Sequence, residues 1–309
     1  MRILFLGAGA VGGYFGGRLA AAGRDVTFLV REARAEQLST GLRILSRLGD
    51  ATVEVQTLLA DEAADPFDII AIACKSYGLA GALDAVAPHV RSGTAILPLL
   101  NGIDHIDVIA TRFPEAVTWG GIAHIGATLH QDGSVNHFNK LHKLTVGLRA
   151  GQEASEALAR QLASAGQAAG YDGVFAEDIT QALWDKWVML ASLAAGTCLM
   201  RASVGRILAT GHGAAVLSQI IDEVAAIAEA EGQLPAEDVM ARIRAMLSER
   251  GSAWTASMLR DMQAGYPTEA DHIIGALLRR AGRHGIAAPH LAAALTHLEV
   301  YEAERDPMG

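Results

Sequence analysis

The sequence predicts an α/β fold, with a doubly wound sheet in its N-terminal part and only helices in its C-terminal part. Three observations carry this prediction. The chain opens with MRILFLGAGAVGGYFGG, a short apolar run passing directly into Gly7-x-Gly9-x-x-Gly12. Apolar runs of strand length then alternate with helical patterns as far as residue 176. From 177 to 309 no strand pattern is found, and glycines or prolines at 211, 232–235, 265–267 and 282–285 separate helical stretches. The predicted domains are therefore 1–176 and 177–309, without internal repeat or low-complexity linker.

Taken in order, residues 2–6 are nearly all apolar, as befits a strand covered on both faces. The glycines and alanines from Gly9 onward let a helix over 10–22 pack closely on that strand. In such a turn one glycine makes the bend, one admits a pyrophosphate and one allows helix–strand contact. The free amides and the helix dipole then hold phosphate, which marks Gly7, Ala8, Gly9, Ala10, Val11 and Gly12 as a cofactor-binding turn of Rossmann type. A secretory signal is set aside, because regularly spaced glycines break the apolar run and no cleavage region follows. Further strands are expected at 25–30, 42–46, 51–57, 68–74 and 93–99, with a helix at 78–87. Within 117–147 the runs TWGGIAHIGATLH, GSVNHF and HKLTVGL read as adjacent strands, turning at Gln131-Asp132-Gly133. A helix over 152–168 and a strand over 171–175 close the first domain. In the second, Tyr266-Pro-Thr-Glu-Ala-Asp271 reads as a helix start, with Thr268 capping and Asp271 completing a capping box. Glu269 falls in the first turn, where the dipole favours a negative charge. Ile273, Ile274, Leu277 and Leu278 form the buried stripe.

Composition narrows the function classes. The 309 residues are 51 % hydrophobic and 19 % charged, which suits a globular enzyme and excludes a disordered chain. A net charge of −9 gives no general attraction to nucleic acid or anionic lipid. Cys74 and Cys198 belong to no paired motif, so they read as thiols of a reducing, cytoplasmic compartment. Residues 188–200 are the most apolar stretch, and they are too short to span a membrane. His124, His130, His137 and His142 lack an HExxH pattern or a nearby cysteine, so no metal is expected and they read as surface or cleft residues. Arg279-Arg280 read as a helix end complementing its dipole. The aliphatic repeats across 214–230 read as packing surface, either core or the contact of a homodimer.

The second strand ends at Val30 and the next residue is Arg31. An NAD site usually ends this strand with an acid for the ribose diol. A guanidinium instead grips a 2′-phosphate through paired donors, so NADP(H) is the expected cofactor. The alternative is Glu32 as the ribose acid, with Arg31 in solvent. Ligands of open α/β sheets sit beyond the carboxyl ends of the strands, where the chain also places Lys75 and Asn101-Gly102. Lys75 can meet a nicotinamide ribose or a carboxylate, or be a solvated loop lysine. Asn101-Gly102 can face the ligand or serve only as a turn.

GAGAVG, CKSY at 74–77 and LLNGI at 99–103 are followed by Trp184-Asp-Lys186, Ser257-Met-Leu-Arg-Asp261, Pro267-Thr-Glu-Ala-Asp271 and HGIAAP at 284–289. This ordered set resembles the ketopantoate reductase family (2-dehydropantoate 2-reductases) along essentially the whole chain. The resemblance implies a Rossmann domain and a helical domain with NADPH and substrate between them. It also implies reduction of a 2-oxo acid, the pantoate step of pantothenate and coenzyme A synthesis. In this resemblance Lys186 is the catalytic lysine and Glu269 its acidic partner. Ser257 binds the substrate carboxylate, Asn101 lies at the nicotinamide side, Lys75 is the strand-end lysine and Arg31 the cofactor arginine. A lysine suits the chemistry, because hydride addition to a ketone leaves an alkoxide that needs a proton and a positive charge. The chain departs from the pattern at three substrate-side asparagines, whose places are taken by Leu190, Ala194 and Trp254. A pocket that has lost those amides is more apolar, which bears directly on substrate choice. Two other functions compete. Arg31 and the Ser257–Glu269 pairing argue against an NAD-dependent 3-hydroxy acid dehydrogenase. Retention of Lys186 and Glu269 argues against a non-catalytic NADP(H) sensor.

Overall fold

A computed structural model describes residues 1–305 and divides into two compact units, Met1–Thr180 and the part beginning at Gln181. The first unit starts with β1 (Arg2–Leu6), α1 (Ala10–Ala21), β2 (Asp25–Leu29) and α2 (Glu32–Leu38). β3 (Leu42–Ser46), β4 (Ala51–Val53), β5 (Gln56–Leu58) and β6 (Ile69–Ile72) follow. α3 (Leu79–Val86), β7 (Ala95–Pro98), α4 (Asp104–Arg112) and β8 (Val117–Thr118) come next. The long strands β9 (Gly120–Leu129) and β10 (Val135–Gly147) precede α5 (Glu156–Ala168) and β11 (Asp172–Ala176).

Six strands form one parallel sheet in the order β5-β2-β1-β6-β7-β8. The order reverses at β1, the topological switch where such sheets bind their ligands. The pleat sends alternate residues to opposite faces, and both faces are covered. Ile3 and Phe5 pack on the α1 side, whereas Leu4 joins Ile70, Ile72, Leu83 and Ile109 on the α3–α4 side.

The remaining strands form a second sheet, β11-β10-β3-β4, with β9 antiparallel on β10. Helix α1 lies between the two sheets, which its glycines make sterically feasible. A Cβ on Gly16 would stand 2.7 Å from the Phe28 ring, and one on Gly17 would stand 2.8 Å from Leu42 and Ile44. Adding that carbon forces the sheets apart, at about 1–3 kcal/mol per site. The buried aromatics Phe5, Phe15, Tyr14 and Phe28 fill the same layer, each contributing roughly 1.5–3 kcal/mol of burial.

Two expectations for this unit are corrected and two helices are added. Residues 51–57 are not one strand: β4 pairs with β3 in the second sheet and β5 with β2 in the first, so the chain changes sheets at Glu54-Val55. Alternating burial reports that a face is covered, not which layer covers it. His137 is not a surface or cleft residue but is 1 % exposed, its ring 4.6 Å from that of Tyr14. Its Nδ1 accepts from Ser46 Oγ (2.9 Å) and its Nε2 donates to the Leu141 carbonyl (3.0 Å), which satisfies a neutral imidazole. Burial then holds it below the usual histidine range. Helices α2 and α4 were not expected; α2 buries only Leu38, too little to show as a stripe.

The second unit takes its first helix from α6 (Ile179–Met200), followed by α7 (Val204–Leu208), α8 (Gly213–Ala230) and α9 (Glu237–Leu247). After α10 (Ser257–Gln263) the chain makes a π-helical turn over Asp271–Gly275, then α11 (Ala276–His284) and α12 (Pro289–Arg305). No strand occurs among the described residues of this unit, and none of its helices is long and apolar enough to cross a membrane. The stripe of α8 turns Leu217, Ile220, Val224 and Ile227 into the core, which removes the argument for a subunit contact there. At the start of α12, Glu223 of α8 accepts the amides of His290 (3.0 Å) and Leu291 (2.9 Å), satisfying donors left open by the helix end.

The expected capping box at Thr268 is not formed. Its amide donates to Glu302 Oε1 (2.6 Å), and no side chain caps the helix that starts after Ala270. Asp271 instead accepts from Arg279 Nη1 (2.6 Å), a bracket across the widened turn. Gly275 makes room for it, since a Cβ there would stand 2.5 Å from Asp271 Oδ1. Arg279 and Arg280 therefore do not sit at a helix end; Arg283 and His284 occupy that place before Gly285, whose φ of +65° closes α11.

Candidate active site

In the first unit the predicted residues collect along the carboxyl ends of four adjacent strands. β1 ends at Leu6 and Gly7 bends away with φ +86°, its amide donating to the Leu29 carbonyl at 2.9 Å. That bond lashes the turn to the end of β2, two residues before Arg31. Gly9 precedes α1 without a side-chain cap, and no acid occupies the first helical turn, so the amides of Ala10, Val11 and Gly12 face no competing anion there. Gly12 meets the strictest limit: a Cβ would stand 2.3 Å from the Gly7 carbonyl oxygen and 3.2 Å from Ala73 Cβ. The same contact places Ala73, just beyond β6, against the turn, with Cys74 and Lys75 following. Lys75 is partly buried, and its carbonyl accepts the Gly78 amide (2.9 Å) as the chain enters a short 3-10 turn. Asn101 is partly buried beyond β7, and the next residue, Gly102, turns the chain with φ +76°.

Arg31 and Glu32 are both exposed, Arg31 as the residue before α2 and Glu32 as its first. The guanidinium of Arg31 makes no hydrogen bond or ion pair among the described residues, so its paired donors are open to an incoming anion. Sequence reasoning missed a second arginine here. Arg34 donates to the Ala8 carbonyl through Nε (3.1 Å) and Nη2 (2.7 Å), and to the Gly133 carbonyl through Nη1 (2.9 Å). It therefore braces the glycine turn against the β9–β10 turn of the other sheet. Besides Gln37 Oε1 on its own helix (2.9 Å), its partners are backbone carbonyls, which no spacing of residue types advertises.

In the second unit Lys186, Leu190 and Ala194 lie at four-residue intervals on one side of α6. Lys186 keeps some exposed surface as a residue, but its ammonium is enclosed. Burial pushes its pKa down to about 8, and the Glu269 carboxylate opposes that fall by favouring the charged form. Glu269 is 5 % exposed and precedes Ala270, the residue before the π-helical turn, so it is Asp271 and not Glu269 that occupies the first turn. The structure thus couples two residues far apart in sequence as a buried acid–base pair. Leu190 is partly buried and Ala194 is buried, so neither offers a polar group where they stand. Ser257 opens α10 and is exposed, as is Trp254 three residues earlier. This segment is tied to α6 and α7, because the Ala256 amide donates to Thr197 Oγ1 (3.3 Å) and the Val204 amide to the Trp254 carbonyl (3.0 Å).

Beside Lys186, Trp187 is buried and its indole N–H donates to the Ile273 carbonyl at 3.1 Å, inside the π-helical turn. The Arg280 guanidinium lies over the Trp187 ring (4.9 Å) and within 3.4 Å of Glu231. Neither contact was expected from the sequence. Among the described residues no group of three or more His, Cys, Asp and Glu side chains is gathered as metal ligands.

Comparison with known proteins places the chain in a family. The family described as Ketopantoate reductase PanE/ApbA matches residues 3–151, and its C-terminal counterpart matches residues 178–302. The chain is 35 % identical to the uncharacterized oxidoreductase YkpB of Bacillus subtilis, over 99 % of this chain and 100 % of that one. It is 29 % identical to the 2-dehydropantoate 2-reductase of Halobacterium salinarum, covering 94 % and 95 % of the two chains. A PanE/ApbA family ketopantoate reductase structure from Ralstonia eutropha matches with a TM-score of 0.88 at 25 % identity, covering 99 % of this chain and 100 % of that one.

Proposed function

The chain belongs to the ketopantoate reductase family of oxidoreductases, and from that premise we propose that it reduces a 2-oxo acid to a 2-hydroxy acid with NADPH, with Lys186 as general acid. The observation that carries this reading is the Lys186–Glu269 pair: an enclosed ammonium lowered to about 8 and coupled to a buried carboxylate. At neutral pH such a lysine is charged yet gives up its proton far more readily than one in water.

The residues of the first unit fit a dinucleotide. Gly9 faces open space where a pyrophosphate can approach, Gly12 lets α1 close onto the turn, the uncapped start of α1 offers amides, and Arg31 offers a guanidinium for a 2′-phosphate. When bound, the nicotinamide supplies hydride to the carbonyl carbon. The protein's own share is electrostatic and protolytic. The Lys186 ammonium attracts the carbonyl oxygen, stabilises negative charge as it develops and donates a proton to it. Glu269 keeps the lysine charged until that moment and can accept a hydrogen bond from a substrate hydroxyl. Ser257 is assigned to the substrate carboxylate and Asn101 to the nicotinamide side.

2-Dehydropantoate, reduced to pantoate on the way to pantothenate, is the substrate proposed first. A second reading, a bulkier or more apolar 2-oxo acid, is favoured by Leu190, Ala194 and Trp254, which provide no amides at those positions. The test is NADPH oxidation over a graded series of 2-oxo acids that includes 2-dehydropantoate. Turnover highest with 2-dehydropantoate supports the first reading, and a preference for larger apolar acids supports the second. Absence of turnover with every member would overturn both.

A further inference from the structure

We propose that Trp187 is a positioning residue that sets the spacing of Lys186 and Glu269 through the peptide of Ile273; this rests on the catalytic reading of that pair. Two hydrogen bonds in series make the link. The Trp187 indole N–H donates to the Ile273 carbonyl (3.1 Å), and the Ile273 amide donates to the Glu269 carbonyl (3.0 Å). The first bond starts from the residue next to Lys186 on α6, and the second ends on the backbone of Glu269 itself.

The π-helical turn explains why an indole is needed. Over Asp271–Gly275 the spacing widens from four residues to five, as in the Ala276 amide donating to the Asp271 carbonyl. Such turns are rare and need support from outside the helix. Here that support comes from two directions. Arg279 brackets Asp271 across the space left by Gly275, and Trp187 meets Ile273 from α6. Trp187 is itself immobilised, 1 % exposed, with Trp184 4.9 Å away and the Arg280 guanidinium over its ring. The charges around this assembly are largely matched: Arg280 faces Glu231, which also meets Arg283 and His284, and Asp271 faces Arg279. The charge acting on Lys186 is that of Glu269. A loosened Ile273 peptide therefore reaches Lys186 mainly by moving Glu269 away, which lowers the lysine pKa further and leaves less of it protonated at working pH.

The test reads the lysine directly. The chain has four lysines, Lys75, Lys140, Lys143 and Lys186, so ¹³C-dimethylation gives few signals, and Lys186→Arg assigns the one needed. Trp187→Phe keeps an aromatic ring and removes the N–H. A second variant carries β-(3-benzothienyl)alanine at 187, which keeps the bicyclic shape and also lacks the donor, so a packing defect in the Phe variant does not block the test. The expected result is a Lys186 pKa lower by about half a unit or more in both. In turnover, kcat falls roughly tenfold, its alkaline limb moves to lower pH, and the KM for NADPH is unchanged. Trp184→Phe, which trims a ring packed on Trp187 and removes no donor to Ile273, displaces the Lys186 titration less than either variant at 187. A wild-type Lys186 titration in the benzothienyl variant, or an equal displacement in Trp184→Phe, would overturn the proposal. Should the wild-type chain reduce no 2-oxo acid, the catalytic reading falls, and the NMR titration still decides whether Trp187 sets the pair.

Discussion

In the proposed reading the glycine turn of the first unit keeps its ligand-binding groups on the backbone, whereas the Lys186 region of the second keeps them on side chains held by other side chains. Gly7, Gly9 and Gly12 act by what they lack, and their spacing is local: a bend, a helix start and a close approach within six residues. In that reading Lys186 acts together with Glu269, and the indole beside it reaches a carbonyl 86 residues away. A backbone site tolerates little change in its glycines but asks nothing of distant sequence. A side-chain site is the reverse, and can be retuned one residue at a time.

The sharpest way to break this comparison is Lys186→Ala. Reduction should slow by roughly 10²–10⁴-fold, the usual weight of a general acid, while NADPH affinity measured by fluorescence titration stays within error. A parallel loss of NADPH affinity would show that the two regions do not divide the work in this way. Next in size, Arg31→Ala should weaken NADPH by about 10–100-fold and leave NADH unchanged, because only one of them carries the 2′-phosphate. Arg34→Ala should weaken both cofactors alike and by less, about threefold to tenfold, since Arg34 holds the Ala8 carbonyl rather than a ligand. Equal effects of Arg31→Ala on the two cofactors would return the ribose to Glu32.

A milder probe is pH. Lys186 must be protonated to act as an acid, so the reduction rate should be level below about 8 and fall as pH rises through it. Oxidation of the product hydroxy acid needs the neutral amine and should rise over the same interval. A reduction rate that stays level beyond pH 10 would remove Lys186 from the proton-transfer step. The smallest effect is expected from Leu190→Asn, which restores an amide on the Lys186 side of α6. The ratio of kcat/KM for 2-dehydropantoate over a bulkier apolar 2-oxo acid should rise by a few fold.

The two regions also differed in how far they could be read beforehand. The parallel sheet was legible because burial on both faces leaves short apolar runs, and because the glycine spacing lies within one strand–helix unit. The second sheet was legible as strands but not as a layer, since alternation in residues 51–57 does not say which neighbour each half joins. Arg34 escaped because it binds main-chain oxygens, one of them 99 residues away. Lys186 and Glu269 emerged through resemblance to a family and not through any local pattern. One local signal was nevertheless present: Lys186 is the only lysine between residues 181 and 309, where every other long cation is an arginine. The reading of a capping box at Thr268 failed for a tertiary reason: Glu302 on α12 takes the amide that Asp271 was expected to accept, and the helix begins only after Ala270.

The step at Glu54-Val55 has a mechanical corollary. A single ribbon supplies the outermost strand of both layers, β4 to one and β5 to the other, so peeling either rim tugs directly on its counterpart. The N-terminal half should accordingly come apart in one concerted event instead of shedding a layer at a time. A nick at this short bridge would uncouple the rims and let each layer loosen on its own.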